Sequence, residues 1–124
     1  MARIGNLRGK RAEQAAEKYL KRQGLKIVER NRRYPCGEID IIAADSNTHI
    51  FVEVKFRSDS RHGDALEQVF AAKQIKLARA AKRWLQEHDP HFQRACRFDV
   101  IAIDREGSKT VTRWIKNAFS PELW

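Results

Sequence analysis

Asp40, Glu53 and Lys55 are the residues whose types and spacing could do chemistry. Asp40 stands in the run Gly37-Glu38-Ile39-Asp40-Ile41-Ile42, and a single valine separates Glu53 from Lys55 in Phe51-Val52-Glu53-Val54-Lys55. Both runs are rich in β-branched and aromatic residues, and Asp45-Ser46-Asn47 between them is a hairpin-type turn, so both read as strands. Residues two apart in a strand share a face. Glu38 is then expected beside Asp40 and Glu53 beside Lys55, with Ile39 and Ile41, and Val52 and Val54, on the opposite faces. Charges on one face of the inner strands of a covered sheet are costly unless they are paired or bound to a metal. Metal-assisted phosphodiester hydrolysis suits this set. Two carboxylates, Asp40 and Glu53, can hold Mg²⁺ or Mn²⁺, with waters and a substrate phosphate completing the shell. The ion would activate water and offset phosphate charge, and Lys55 would orient that water or neutralise the transition state. A cross-strand ion pair at the end of the sheet is the competing reading, because an E-x-K triplet is common by chance.

Two further residues extend the set. The apolar stripe of a long helix predicts an inward slot between Phe70 and Leu77, and Lys73 occupies it. It is either a lysine whose stem lies on the core or a second cation directed at the site. Glu13 sits at the margin of the first helix's apolar face, as a surface glutamate or a third carboxylate for the charged face of the sheet. Basic residues cluster nearby. Arg30, Arg32 and Arg33 precede the first acidic strand, Arg57 and Arg61 follow Lys55, and Lys76, Arg79 and Arg83 recur at helical spacing. Such groups track a phosphate backbone without reading sequence.

The elements that must position these residues follow from periodicity. Apolar residues at three- and four-residue steps (Ala12, Ala15, Ala16, Tyr19, Leu20) predict a helix from Gly9 to about Gln23, stopped by Gly24. Residues 25–31 read as a strand and residues 32–37 as a basic turn. Strands are expected over Glu38 to about Ala44 and about Thr48 to Phe56, and residues 57–64 form a polar loop. A long helix is expected from about Leu66 to Glu87, with Leu66, Val69, Phe70, Leu77, Ala81, Trp84 and Leu85 as its stripe and Asp89-Pro90 ending it. Arg97–Asp104 and Val111–Ile115 complete the strands, and the tail from Lys116 packs back through Phe119 and Trp124. The order helix, three strands, helix, two strands predicts one α/β domain, 1–124, with a central mixed sheet flanked by helices.

Charge narrows the partners. Lys plus Arg is 25 against 16 for Asp plus Glu, a net +9, and the pI is about 10.0. Such an excess on a small domain attracts polyanions, and nucleic acid is the commonest. It counts against a scaffold with no nucleic-acid role. No apolar run approaches the roughly 20 residues a membrane crossing requires, and the N-terminus lacks a secretory apolar block, so the expected location is the cytoplasm. Cys36 and Cys96 are far apart and lack metal-ligand spacing, so both are expected as reduced thiols. His88 and His91 flank Asp89-Pro90 and read as a solvated loop.

Together the motifs resemble the signature of the YraN family. The core is Gly37-Glu38-Ile39-Asp40-Ile41-Ile42 and Phe51-Val52-Glu53-Val54-Lys55-x-Arg57. Around it fall Gly9-x3-Glu13-x2-Ala16-x2-Tyr19-Leu20, Gly24, Asn31, Gly63, Lys73, Arg97-Phe98-Asp99-Val100 and Trp114-Ile115-Lys116-x-Ala118-Phe119, over about residues 5–119. This resemblance implies a PD-(D/E)xK, restriction-endonuclease-like fold, similar to that of archaeal Holliday-junction resolvases. It implies a metal site at Asp40, Glu53, Lys55 and Glu13, with the backbone carbonyl of Val54 as a further ligand. The aspartate follows Ile39 where that motif has proline. The activity implied is a Mg²⁺-dependent endonuclease on DNA, branched or single-stranded, and the resolvase-like relatives suggest a homodimer. The alternative is a nucleic-acid-binding module or assembly partner that keeps the fold without turnover.

Overall fold

The computed structural model describes residues 4–57 and 63–121, with side chains from 9 to 56 and from 71 to 121. Helix α1 (Ile4–Arg22) leads into strands β1 (Lys26–Tyr34), β2 (Gly37–Asp45) and β3 (Thr48–Arg57). Helix α2 (Gly63–His88) and strands β4 (Ala95–Glu106) and β5 (Lys109–Phe119) follow. The strands form one sheet in the order β1-β2-β3-β4-β5. All neighbours are antiparallel except β3 and β4, which are parallel and joined by α2 as the crossover. This is the α/β architecture expected, a mixed sheet between helices with the element order of a nuclease-like core.

The two helices cover opposite faces. Ala12, Ala16 and Leu20 of α1 pack on Ile41, Ala43, Ile50, Val52, Ile101 and Ile103. Leu77, Ala80, Ala81, Trp84 and Leu85 of α2 pack on Ile42, Phe51 and Phe98. Covering both faces explains why β3 and β4 carry near-continuous apolar runs at their centres. The small alanines let α1 lie close to the sheet. Ala15, expected in its apolar face, is exposed instead. Gly24 ends α1 at φ 91°, with the Leu25 N–H donating to the Leu20 carbonyl at 3.1 Å and the Gly24 N–H to Lys21 at 3.0 Å. A residue with a side chain strains at that φ.

Several boundaries differ from expectation. α1 begins at Ile4, and β1 runs on through Arg32, Arg33 and Tyr34, leaving Pro35 and Cys36 as the turn. β1 is an edge strand, and charges are the usual protection of an edge, so a basic stretch there is strand rather than turn. Gly63 and Asp64 belong to α2. The rest of the expected polar loop, residues 58–62, lies outside the described residues, as does Trp124. β5 takes in Lys116–Phe119, which were expected as tail. Fully buried Asp99 anchors it, accepting hydrogen bonds from Arg97 Nε (3.1 Å), Trp114 Nε1 (2.9 Å) and the Asn117 N–H (2.9 Å). His88 is the last residue of α2 rather than a loop residue, and its ring stacks on Trp84 at 4.2 Å between centroids. Among the described residues no helix is long and apolar enough to cross a membrane.

Candidate active site

A fork between β2 and β3 creates the site. Their ladder runs from Asp45↔Thr48 to Ile41↔Val52 and goes no further. β2 nevertheless stays paired with β1 down to Tyr34↔Gly37. Asp40 stands where the two strands part, and its Oδ2 accepts the Val54 N–H at 2.8 Å in place of a backbone carbonyl. The N–H and C=O of one strand residue point to the same edge, so the Val54 carbonyl also faces the fork. Asn31, in the β1 interval facing Asp40, adopts φ 51°. This irregularity breaks the alternation expected of β2. Ile39 packs with α2 and Ile41 with α1, so they do not share a face. At the hairpin end, Gly37 lies directly on α2, where an added Cβ would collide with the Lys76 carbonyl. Glycine is required there for that close approach.

The fork brings the predicted acids together. Glu53 is only 5% exposed, on the α2 side of β3. Burial first, and then the Glu53 charge, push the Asp40 carboxyl up to about 8. The Val54 N–H opposes this, while the Glu13 charge and a hydrogen bond between the two carboxyl groups add to it. Asp40 therefore keeps its proton near neutrality. Glu13 joins from α1. Burial raises its carboxyl above the ordinary range, a hydrogen bond with Asn31 lowers it, and Glu38 and Glu53 raise it further. Lys73 Nζ lies 3.4 Å from Glu53 Oε1. Its side chain is 57% exposed, so it is not the inward, core-lying lysine of the apolar stripe; it reaches the site from the rim. Lys55 is half-buried two residues beyond Glu53 and already engaged by a neighbour.

A cleft of about 510 Å³ opens over Asp40 and Glu53, walled by Arg33 and Glu38 from the hairpin and by Lys73 and Lys76 from α2. A second hollow of about 630 Å³, on the α1 side, shares Asp40 and holds Lys10, Glu13 and Asn31. Among the described residues no three His, Cys, Asp or Glu side chains form a preformed metal cage. The donor set still fits Mg²⁺, which typically takes one or two carboxylates and keeps waters and phosphate in its shell. A buried Asp40 carboxyl beside a second acid is a place where a divalent cation would favour the ionised form.

The basic residues divide. Arg33 and Lys76 border the cleft, and Arg83 lies 5.4 Å from the Tyr34 ring centroid farther along α2. Arg79 is exposed on the same helix. Arg32 is not free for phosphate. It lies 3.6 Å from Glu29, 3.7 Å from Glu87 and 4.8 Å from the centre of the Tyr34 ring. Arg30 pairs with Glu17, its Nε donating at 2.7 Å. Arg57 closes β3, where its side chain is not described, and Arg61 lies outside the described residues. The periodicity reading missed Asn31 and Gly37 as site builders. Asn31 carries one local signal, since asparagine tolerates positive φ better than most residues.

The family model described as "Uncharacterised protein family UPF0102" matches residues 12–103, a span that includes Glu13, Asp40, Glu53, Lys55 and Lys73. A UPF0102 protein of Shewanella loihica is 46% identical over 112 residues, covering 90% of this chain and 93% of that protein. One from Alcanivorax borkumensis is 44% identical over 115 residues, 92% of each chain. One from Vibrio cholerae is 42% identical over 113 residues, 90% of this chain and 91% of its own. The match runs through every element that builds the fork, and on that ground the chain belongs to the UPF0102 family, the YraN family its motifs resemble.

Proposed function

We propose that this protein is a metal-dependent endonuclease that hydrolyses phosphodiester bonds in DNA. One observation carries the reading: two acids, Asp40 and Glu53, meet in the same cleft, where Asp40 is buried enough to keep its proton near neutrality. Asp40, Glu53 and the Val54 carbonyl would hold Mg²⁺ or Mn²⁺, releasing that proton. The ion supplies Lewis acidity for activating water and offsetting phosphate charge. Lys55 and Lys73 add positive charge beside Glu53, where negative charge develops in the transition state. Glu13 closes the acidic set from α1. Arg33 and Lys76 hold flanking phosphates at the rim and carry no sequence preference.

The test is cleavage of single-stranded, duplex, flap and four-way-junction DNA with Mg²⁺ and with Mn²⁺, beside Asp40→Ala and Glu53→Ala. Metal-dependent cutting that either variant abolishes, with DNA binding retained, is the expected result. Normal cutting by both variants would sink the site assignment. The Lys73–Glu53 contact favours a second reading, because a static ion pair has the same geometry. In that case the protein binds nucleic acid without turnover, neither ion raises its melting temperature, and no substrate is cut.

A further inference from the structure

We propose a second phosphate-binding pocket on the α1 side of the sheet, which takes the nucleic-acid strand beyond the cleft. The hollow, about 360 Å³, lies between α1 and the C-terminal ends of β3 and β4. Its floor is apolar, made of Ala12, Phe56 and Ile103, and its rim carries Arg11 and Arg105 with the hydroxyls of Ser108 and Thr110. Among the described residues no carboxylate lines it. The fold accounts for that. Strand alternation turns Ile103 and Arg105 toward α1, while Asp104 and Glu106 are drawn to Arg113 at 3.6 and 3.9 Å. On α1, Glu13 belongs to the fork and Glu17 is paired with Arg30. Among the described residues Arg11 and Arg105 have no acidic partner, a state they share with Arg22, Arg79, Arg83 and Arg94, and only these two line this pocket; Arg30, Arg32, Arg33, Arg97 and Arg113 are paired.

Two unpaired guanidiniums and two hydroxyls around an apolar floor suit a phosphate with its attached nucleoside: the rim donates to phosphate oxygens and Phe56 offers a surface for the base. The pocket neighbours, along α1, the hollow that shares Asp40 with the candidate active site. Lys10 lines the hollow that shares Asp40, and Arg11, the next residue, lines this one. Along β3, Phe56 is three residues from Glu53, roughly 10 Å at the rise of a strand. Phe56 faces α1 and Glu53 faces α2, so a nucleic-acid strand would reach the pocket by way of the α1-side hollow that shares Asp40.

This inference rests on the nucleic-acid reading of the cleft but not on its turnover, so the experiment is binding without cutting. A labelled single strand, long enough to span both sites, is titrated by fluorescence anisotropy in EDTA across a salt series. Arg11→Ala and Arg105→Ala should each lower the slope of log affinity against log salt by about 0.7–0.9, the loss of one phosphate contact. The double variant should bind about tenfold more weakly at low salt. Arg94→Ala is the control: an exposed arginine at the other end of β4, on the order of 35 Å from Arg105. All these positions are exposed, and matching melting curves confirm an intact fold. Pocket variants that bind no worse than Arg94→Ala overturn the pocket and leave the candidate active site standing. Cleavage lost in Glu53→Ala, or never observed, leaves the pocket unaffected. A wild-type protein that binds no nucleic acid at low salt overturns both.

Discussion

Asp40→Asn separates the charge of the fork from its shape. The amide keeps an oxygen for the Val54 N–H but cannot ionise. In the folded protein Asp40 titrates near 8 instead of 3.8, chiefly because it is buried and secondly because it faces Glu53. Between those values the folded chain holds a proton that the unfolded chain has released. Wild-type stability therefore falls as pH rises from about 4 to about 8, and levels off above, where both states have lost the proton. At 1.36 kcal/mol per pH unit, the penalty from this shift has a ceiling of roughly 6 kcal/mol. Asp40 lines an open cleft where water screens the pair, so about 2 kcal/mol is the expected net cost. Removing it should raise the melting temperature of Asp40→Asn by roughly 6–10 °C over wild type at pH 9. Near pH 3 and below the two proteins should melt together, because Asp40 is then largely neutral in both states. Circular dichroism melts in EDTA across this range provide the assay. A gap that does not change with pH, or a variant less stable than wild type at pH 9, would refute the assignment of a strained carboxylate pair.

Two further changes test how the fold holds the site. Gly37→Ala forces a methyl against the Lys76 carbonyl, so α2 and the hairpin must separate; urea unfolding should show a loss of about 1–3 kcal/mol, and wild-type stability would mean the contact is not tight. Asp99→Ala strands the donors of Arg97, Trp114 and Asn117 in the interior, a loss of about 3–5 kcal/mol in the same assay. A loss below about 1 kcal/mol would show that β5 is held by something else.

Sequence periodicity carried the element order because both helices bury regular stripes and the inner strands are apolar runs bounded by turn residues. It carried the acids for a related reason: charges inside a covered sheet violate the expected pattern, and Asp40 and Glu53 do so on neighbouring strands. What it could not carry was the fork. Strict alternation put Ile39 and Ile41 on one face. The structure separates them because β2 leaves β3 at Asp40, and the partner that makes this possible is the Val54 N–H, across the hairpin. Arg32 differs for another reason. Its type and neighbours suggest phosphate binding, and the structure sets it against Glu29 on β1 and against Glu87 on α2, a partner too distant in sequence for β1 to announce. Lys73 was expected in an inward slot of α2, as a core-lying stem or as a cation directed at the site; it is exposed on that helix with its charge at Glu53. A long flexible stem lets an exposed residue deliver its charge to a buried one.

The residues of the fork act as a unit. A regular continuation of β2 along β3 would give the Val54 N–H a backbone acceptor and leave Asp40 no opening in which to stand beside Glu53. The open geometry depends on β2 being held elsewhere: by β1, through the irregular Asn31, and by α2, through the bare Cα of Gly37. With the strand held apart, Asp40 satisfies the N–H that its own departure exposed. The unfavourable meeting of two acids is thus maintained by hydrogen bonding and packing that stabilise the fold independently of charge. Such a fork keeps its two carboxyl groups in place whether or not a cation is present, and that preorganisation is what a binding centre would need.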